Sequence, residues 1–161
     1  MKRRLFLGGL ASLLLVAVLA PGALATRNVD FFASMSPRQE VGEVNAPKAH
    51  GFAAFRVDGN VLHYRVTVSN LTGPATQTHI HGPAERGVNA SISIWLCGTA
   101  TNPGPAGTPL CSSATDGGLV QGSIEITTEQ LAMIDAGLAY VNVHTALHPS
   151  GEIRGQIRPV R

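Results

Sequence analysis

From residue 51 onward, apolar and polar positions alternate with a period of two in short runs separated by Gly and Pro. Leu62, Tyr64, Val66 and Val68 alternate with His63, Arg65, Thr67 and Ser69. Successive side chains on a strand point to opposite faces, so this run predicts a strand with one buried and one solvated side. Residues 51–57 predict its partner, joined through Asp58-Gly59-Asn60, a hairpin-turn sequence. Ile92, Ile94 and Leu96 alternate with Ser91, Ser93 and Trp95, and Ile124 and Ile126 with Ser123 and Glu125, which predicts two further half-buried strands. Phe31-Phe32-Ala33 is a weaker opening strand, and residues 36–50 read as loop. Thr127 with Gln130 three positions on has capping-box spacing, and it predicts a short helix with Leu131 and Ile134 inward, ended by Gly137. Residues 138–144 and 152–160 close the chain as two strands around a seven-residue loop. The pattern as a whole predicts an all-β fold, a Greek-key-like β-sandwich or barrel with one short crossover helix. Its core should hold Ile80, Ile92, Ile94, Val141, Val143 and Ile153.

The first residues depart from this pattern. Lys2, Arg3 and Arg4 precede an apolar run from Leu5 to Ala20, and Ala23-Leu24-Ala25 has the small-x-small form of a cleavage site. Residues 1–25 are therefore expected to be a signal peptide and residues 26–161 one exported domain, secreted or periplasmic. The apolar run is shorter than the roughly 20 residues of a spanning helix, so no membrane role is expected after cleavage. Arg3-Arg4-Leu5-Phe6-Leu7 also resembles a twin-arginine export signal.

Removing this segment changes the charge picture. Three of the twelve Lys and Arg lie before Thr26 and none of the ten acids does, which leaves nine cations against ten anions, a net charge of −1. Nucleic acid is thereby excluded as an expected partner, because no basic footprint is left. Cys97 and Cys111 are the only cysteines, and in an oxidising compartment such a pair predicts a structural disulfide.

The candidate chemistry is carried by histidine. On a strand, His79 and His81 share one face while Ile80 enters the core, and two neighbouring imidazoles are half of a typical first-row metal site. In residues 140–144, Val141 and Val143 take the core face and leave Tyr140, Asn142 and His144 on the other. All three histidines are thus expected on outward strand faces. One shared ion requires ring nitrogens within about 4 Å of one another. His148, four residues after His144, is a candidate fourth ligand. If the terminal hairpin closes symmetrically, His144 faces Glu152, Asn142 faces Arg154 and Tyr140 faces Gln156, so Asn142, Glu152 and Arg154 are candidates to orient the ligands. His63 reads as surface and His50 as loop. No motif for nucleophilic catalysis is present, and the catalytic residues, if any, are unknown.

Two blocks carry a family resemblance. Asn70-Leu71-Thr72-Gly73 leading to Thr78-His79-Ile80-His81-Gly82-Pro83-Ala84, and Tyr140-Val141-Asn142-Val143-His144-Thr145 followed by Gly151-Glu152-Ile153-Arg154-Gly155-Gln156-Ile157, make residues 31–158 resemble the CHRD domain, named from chordin. That resemblance implies an all-β sandwich and brings no agreed biochemical activity. His79-Ile80-His81 is also similar, more faintly, to the copper strand of copper/zinc superoxide dismutase, but residues 83–91 contain no histidine series and no Asp to hold a second metal. Three functional expectations follow. The first is an exported module with a three-histidine copper or zinc site; the second is an interaction or structural module without metal, whose partner is an unknown extracytoplasmic protein; the third is a copper-dependent, dismutase-like enzyme.

Overall fold

The hairpin around Gly59 seeds the larger of two sheets in the computed structural model, which describes residues 29–160. The expected signal peptide and its cleavage point lie outside the described residues. β2 (His50–Asp58) and β3 (Val61–Ser69) pair antiparallel from Asp58↔Val61 to His50↔Ser69. Gly59 sits in the turn at φ +61°, a conformation that costs glycine little because it has no Cβ to clash. β1 (Val29–Met35) pairs with β2, β6 (Gly117–Glu125) with β3, and the two-residue β9 (Arg158–Pro159) with β1, giving the order β6-β3-β2-β1-β9. The second sheet is built from β4 (Ala75–His81), β5 (Ile92–Cys97), β7 (Tyr140–Thr145) and β8 (Ile153–Gln156), in the order β5-β4-β7-β8. Helix α1 (Thr128–Asp135) carries the chain from β6 in one sheet to β7 in the other, and its capping box joins Thr127 and Gln130 reciprocally. The architecture is an all-β sandwich with one short crossover helix.

The two inner faces meet in a single apolar core that includes Leu62, Val66, Ile80, Ile94, Val141, Val143 and Ile153. The terminal hairpin has the register that symmetric closure predicts: Tyr140↔Gln156, Val141↔Gly155, Asn142↔Arg154 and Val143↔Ile153. Gly155 is obligatory there, since a Cβ would come within 2.6 Å of the Ser34 carbonyl oxygen. Cys97 and Cys111 are joined in a disulfide that closes the Gly- and Pro-rich loop between them.

Ile92 corrects the expected core, being 42% exposed. The register of β5 slips between Ile80 and His81, so Ile94 pairs with Ile80 in the core while Ile92 pairs with His81, a residue of the other face. A bulge of this kind re-phases a strand and turns the residues beyond it to the opposite side.

Candidate metal centre

β4 and β7 are neighbours, and their pairing places His79 opposite Asn142 and His81 opposite Tyr140, with His144 one step further along β7 opposite Gln77. The alternation that sends Ile80, Val141 and Val143 into the core sends these histidines to the far face of the same sheet. The structure brings His79, His81 and His144 together, each offering a ring nitrogen, with all three nitrogens within 4.8 Å of one another. Bonds of roughly 2.0–2.1 Å to one ion would place them roughly 3.3–4.2 Å apart, so the widest pair would close by about 1 Å on binding.

The histidines lie on the outward face of the sheet, as expected, but that face is covered rather than open to solvent. His79 is 0% exposed, His81 9% and His144 7%. Three segments cover this side of the sheet. The chain after β1 includes a 3-10 turn (Pro37–Gln39), and Ser36 exchanges backbone hydrogen bonds with Arg154 before Glu40 reaches Asn142. The segment between β4 and β5 lays Val88, Asn89 and Ala90 over Arg154, His81 and Tyr140. The loop between β7 and β8 brings the Pro149 carbonyl to His144.

These covering segments set the tautomers. The carbonyl oxygens of Ala90 and Pro149 accept from Nδ1 of His81 and His144, each at 3.0 Å. A carbonyl cannot donate, so both Nδ1 atoms carry the proton and both Nε2 atoms present a lone pair. Those two Nε2 atoms, and both ring nitrogens of His79, are buried without a hydrogen-bond partner. Desolvation, followed by the charges of His144 and His81, lowers the His79 pKa from 6.5 to about 3. Desolvation likewise lowers His144 to about 4, opposed by its bond to Pro149, and it lowers His81 against the help of the Ala90 carbonyl. The rings are therefore neutral, the ligating form.

Aromatic packing fixes the ring planes. Trp95 lies edge-to-face with His79 at 4.2 Å between centroids, and Tyr140 stacks parallel on His81 at 4.9 Å. The Arg154 guanidinium lies 3.3 Å over the Tyr140 ring and donates to the Val88 carbonyl and Asn89 Oδ1. Beside it, Asn142 donates to Glu40 Oε1 at 2.7 Å. Desolvation raises the Glu40 pKa to about 7, against the lowering influence of Arg154 and Asn142. Gly151 is required at this point, since a Cβ would lie 2.5 Å from Asn142 Nδ2 and 2.7 Å from Glu40 Oε1.

Two of the expected contributors take other partners. Glu152 accepts from Thr72 N, Thr72 Oγ1 and Thr145 Oγ1 at 2.6–2.7 Å, so the group that orients His144 is the Pro149 carbonyl instead. His148 lies outside the three-histidine group; its N–H donates to the Thr145 carbonyl and its own carbonyl accepts from Gly151 N, which ties the turn closed. His63 is exposed on the larger sheet. Glu40 escapes sequence reasoning because it stands in a segment without periodicity. The Ala90 and Pro149 carbonyls escape it because any residue could supply them.

Comparison with known proteins adds two matches. A family model described as the CHRD domain matches residues 31–157. A 100-residue stretch, 60% of this chain, is 33% identical to chordin of Xenopus laevis; it spans 9% of that protein's length. No solved structure matches.

Proposed function

We propose that this chain, which belongs to the CHRD domain family, is an extracytoplasmic module that holds one copper or zinc ion on His79, His81 and His144. A single observation carries the reading: four imidazole nitrogens on three converging rings are buried with no partner. Buried polar atoms are nearly always satisfied, and an orphaned one costs about 1–3 kcal/mol, so several of them on three neighbouring rings favour a ligand. An ion bound by these lone pairs would satisfy one nitrogen on each ring. Arg154, Tyr140, Ala90 and Pro149 then serve to hold the rings in the ligating orientation, the usual role of groups behind metal-bound histidines.

The module's place among exported interaction domains is part of the same proposal. It rests on the CHRD family, on the likeness to one segment of chordin and on the expected signal peptide. A dismutase-like activity draws only on the fainter His-x-His likeness, and no match carries it.

Metal analysis of protein purified without a His tag tests the site. One equivalent of copper or zinc per chain is expected, with His79→Ala and His144→Ala each weakening binding strongly and His63→Ala leaving it nearly intact. Equal effects from all three would mean nonspecific surface chelation and would end the proposal.

A further inference from the structure

We infer that the ion this site is built for is monovalent copper(I), held by three neutral imidazoles in preference to copper(II) and zinc(II). The inference rests on the metal-site reading above and concerns the charge of its occupant. All three candidate ligands are neutral, and no carboxylate or thiolate belongs to the group. The two acids nearby are committed elsewhere, Glu152 to Thr72 and Thr145 and Glu40 to Asn142. A buried charge of the same sign as the ion stands behind the site: Arg154, only 1% exposed, lies against Tyr140, which stacks on His81.

Placing an ion here means burying its charge. The desolvation cost of an ion rises with the square of its charge, and its repulsion by Arg154 rises in direct proportion, so both penalties favour a single charge over a double one. Coordination number points the same way. Copper(I) is satisfied by three donors in a trigonal arrangement. Zinc(II) takes four, and its fourth would have to come from a water or anion drawn beneath the covering segments.

The test uses the intact mature protein under anaerobic conditions. Ascorbate is the reductant, since a thiol would attack the Cys97–Cys111 disulfide. Competition with a copper(I)-specific chelator gives the copper(I) affinity, and matched titrations with copper(II) and zinc(II) give the others. Trp95, the chain's only tryptophan, stands beside His79 and should be quenched on copper binding. Copper(I) at one per chain, bound roughly tenfold or more tightly than either divalent ion, is the expected result. Copper(II) or zinc(II) bound as tightly or more tightly overturns the inference and leaves the metal site standing. Failure of all three ions to bind overturns the metal site itself. Arg154→Gln should narrow the preference, whereas Arg154→Lys should keep it. Should Arg154→Gln fail to fold, the wild-type affinities still decide.

Discussion

His79 and His144 are kept neutral mainly by burial, and this makes the folded protein sensitive to acid. In the unfolded chain these rings take up protons as the pH falls through about 6.5, whereas in the folded chain His144 resists until about 4 and His79 until about 3. Between about pH 6.5 and 4 the unfolded state therefore binds more protons. Folding then loses stability with each pH unit of acidification, on the order of 1 kcal/mol for each ring at most. Glu40 works in the opposite direction. Its carboxyl, raised to about 7, is protonated in the folded chain before the unfolded one, so it adds stability as the pH falls from about 7 towards 4.5. Two rings outweigh one carboxyl, so the urea midpoint of the metal-free protein should fall on acidification from pH 7 to 4.5, and Glu40→Gln should steepen that fall. A midpoint that rises over this range would contradict the burial of the rings. Bound metal should be released nearer pH 4 than pH 6 while the fold persists, because protons compete for nitrogens whose basicity is already suppressed. Glu152 belongs to a different class. Glu152→Ala would strand the Thr72 N–H and two hydroxyls inside the fold, for an expected loss of about 3 kcal/mol in denaturant unfolding. Metal affinity should change by no more than a few fold, since the carboxylate bonds to none of the imidazoles.

At the scale of elements, β7 does two jobs with one alternation, core packing through Val141 and Val143 and site-building through Asn142 and His144. Val143→Asp should abolish folding, because an unpaired buried charge costs several kcal/mol against a total stability of roughly 5–15 kcal/mol. Far-ultraviolet circular dichroism that retains the wild-type strand signal would refute this. The loop after β7 is equally constrained: Gly151→Ala has to displace the Asn142–Glu40 hydrogen bond and adopt a left-handed φ of +128°. Lower stability is expected, together with a loosened covering over His144. The disulfide between β5 and the loop end spans 14 residues and should contribute about 3 kcal/mol on the loop-entropy account. Thiol labelling of denatured, unreduced protein should find no free cysteine, and two labels per chain would refute the bond.

For the molecule as a whole, the expected export signal has a direct check: the mature chain should begin at Thr26, and an intact mass that still includes residues 1–25 would refute cleavage there. The sandwich shows which features a sequence can specify alone. Period-2 alternation is a local property, so most strands, the Gly59 hairpin and the capped crossover helix were legible, and so was the side of the sheet to which His79, His81 and His144 point. The start of β6 at Gly117, the exposure of Ile124 and the division of residues 152–160 into β8 and β9 in different sheets were not. The register of β7 with β8 was legible as well, because symmetric closure of the seven-residue loop pairs Val143 with Ile153 and Val141 with Gly155. Alternation says nothing about what covers the polar face. Burial of the histidines is decided by the segments after β1, β4 and β7, which carry no periodic signal and act through backbone carbonyls and one acid, Glu40. The bulge that turns Ile92 out of the core is likewise a property of two paired strands. Sequence alone determined most of the elements, the faces of β3, β4 and β7 and which three imidazoles share an outward face, because each follows from neighbours along the chain. Tertiary structure alone decided that the imidazoles converge, dry and unpartnered, since burial and mutual distance are set by segments remote in sequence that fold over the same face.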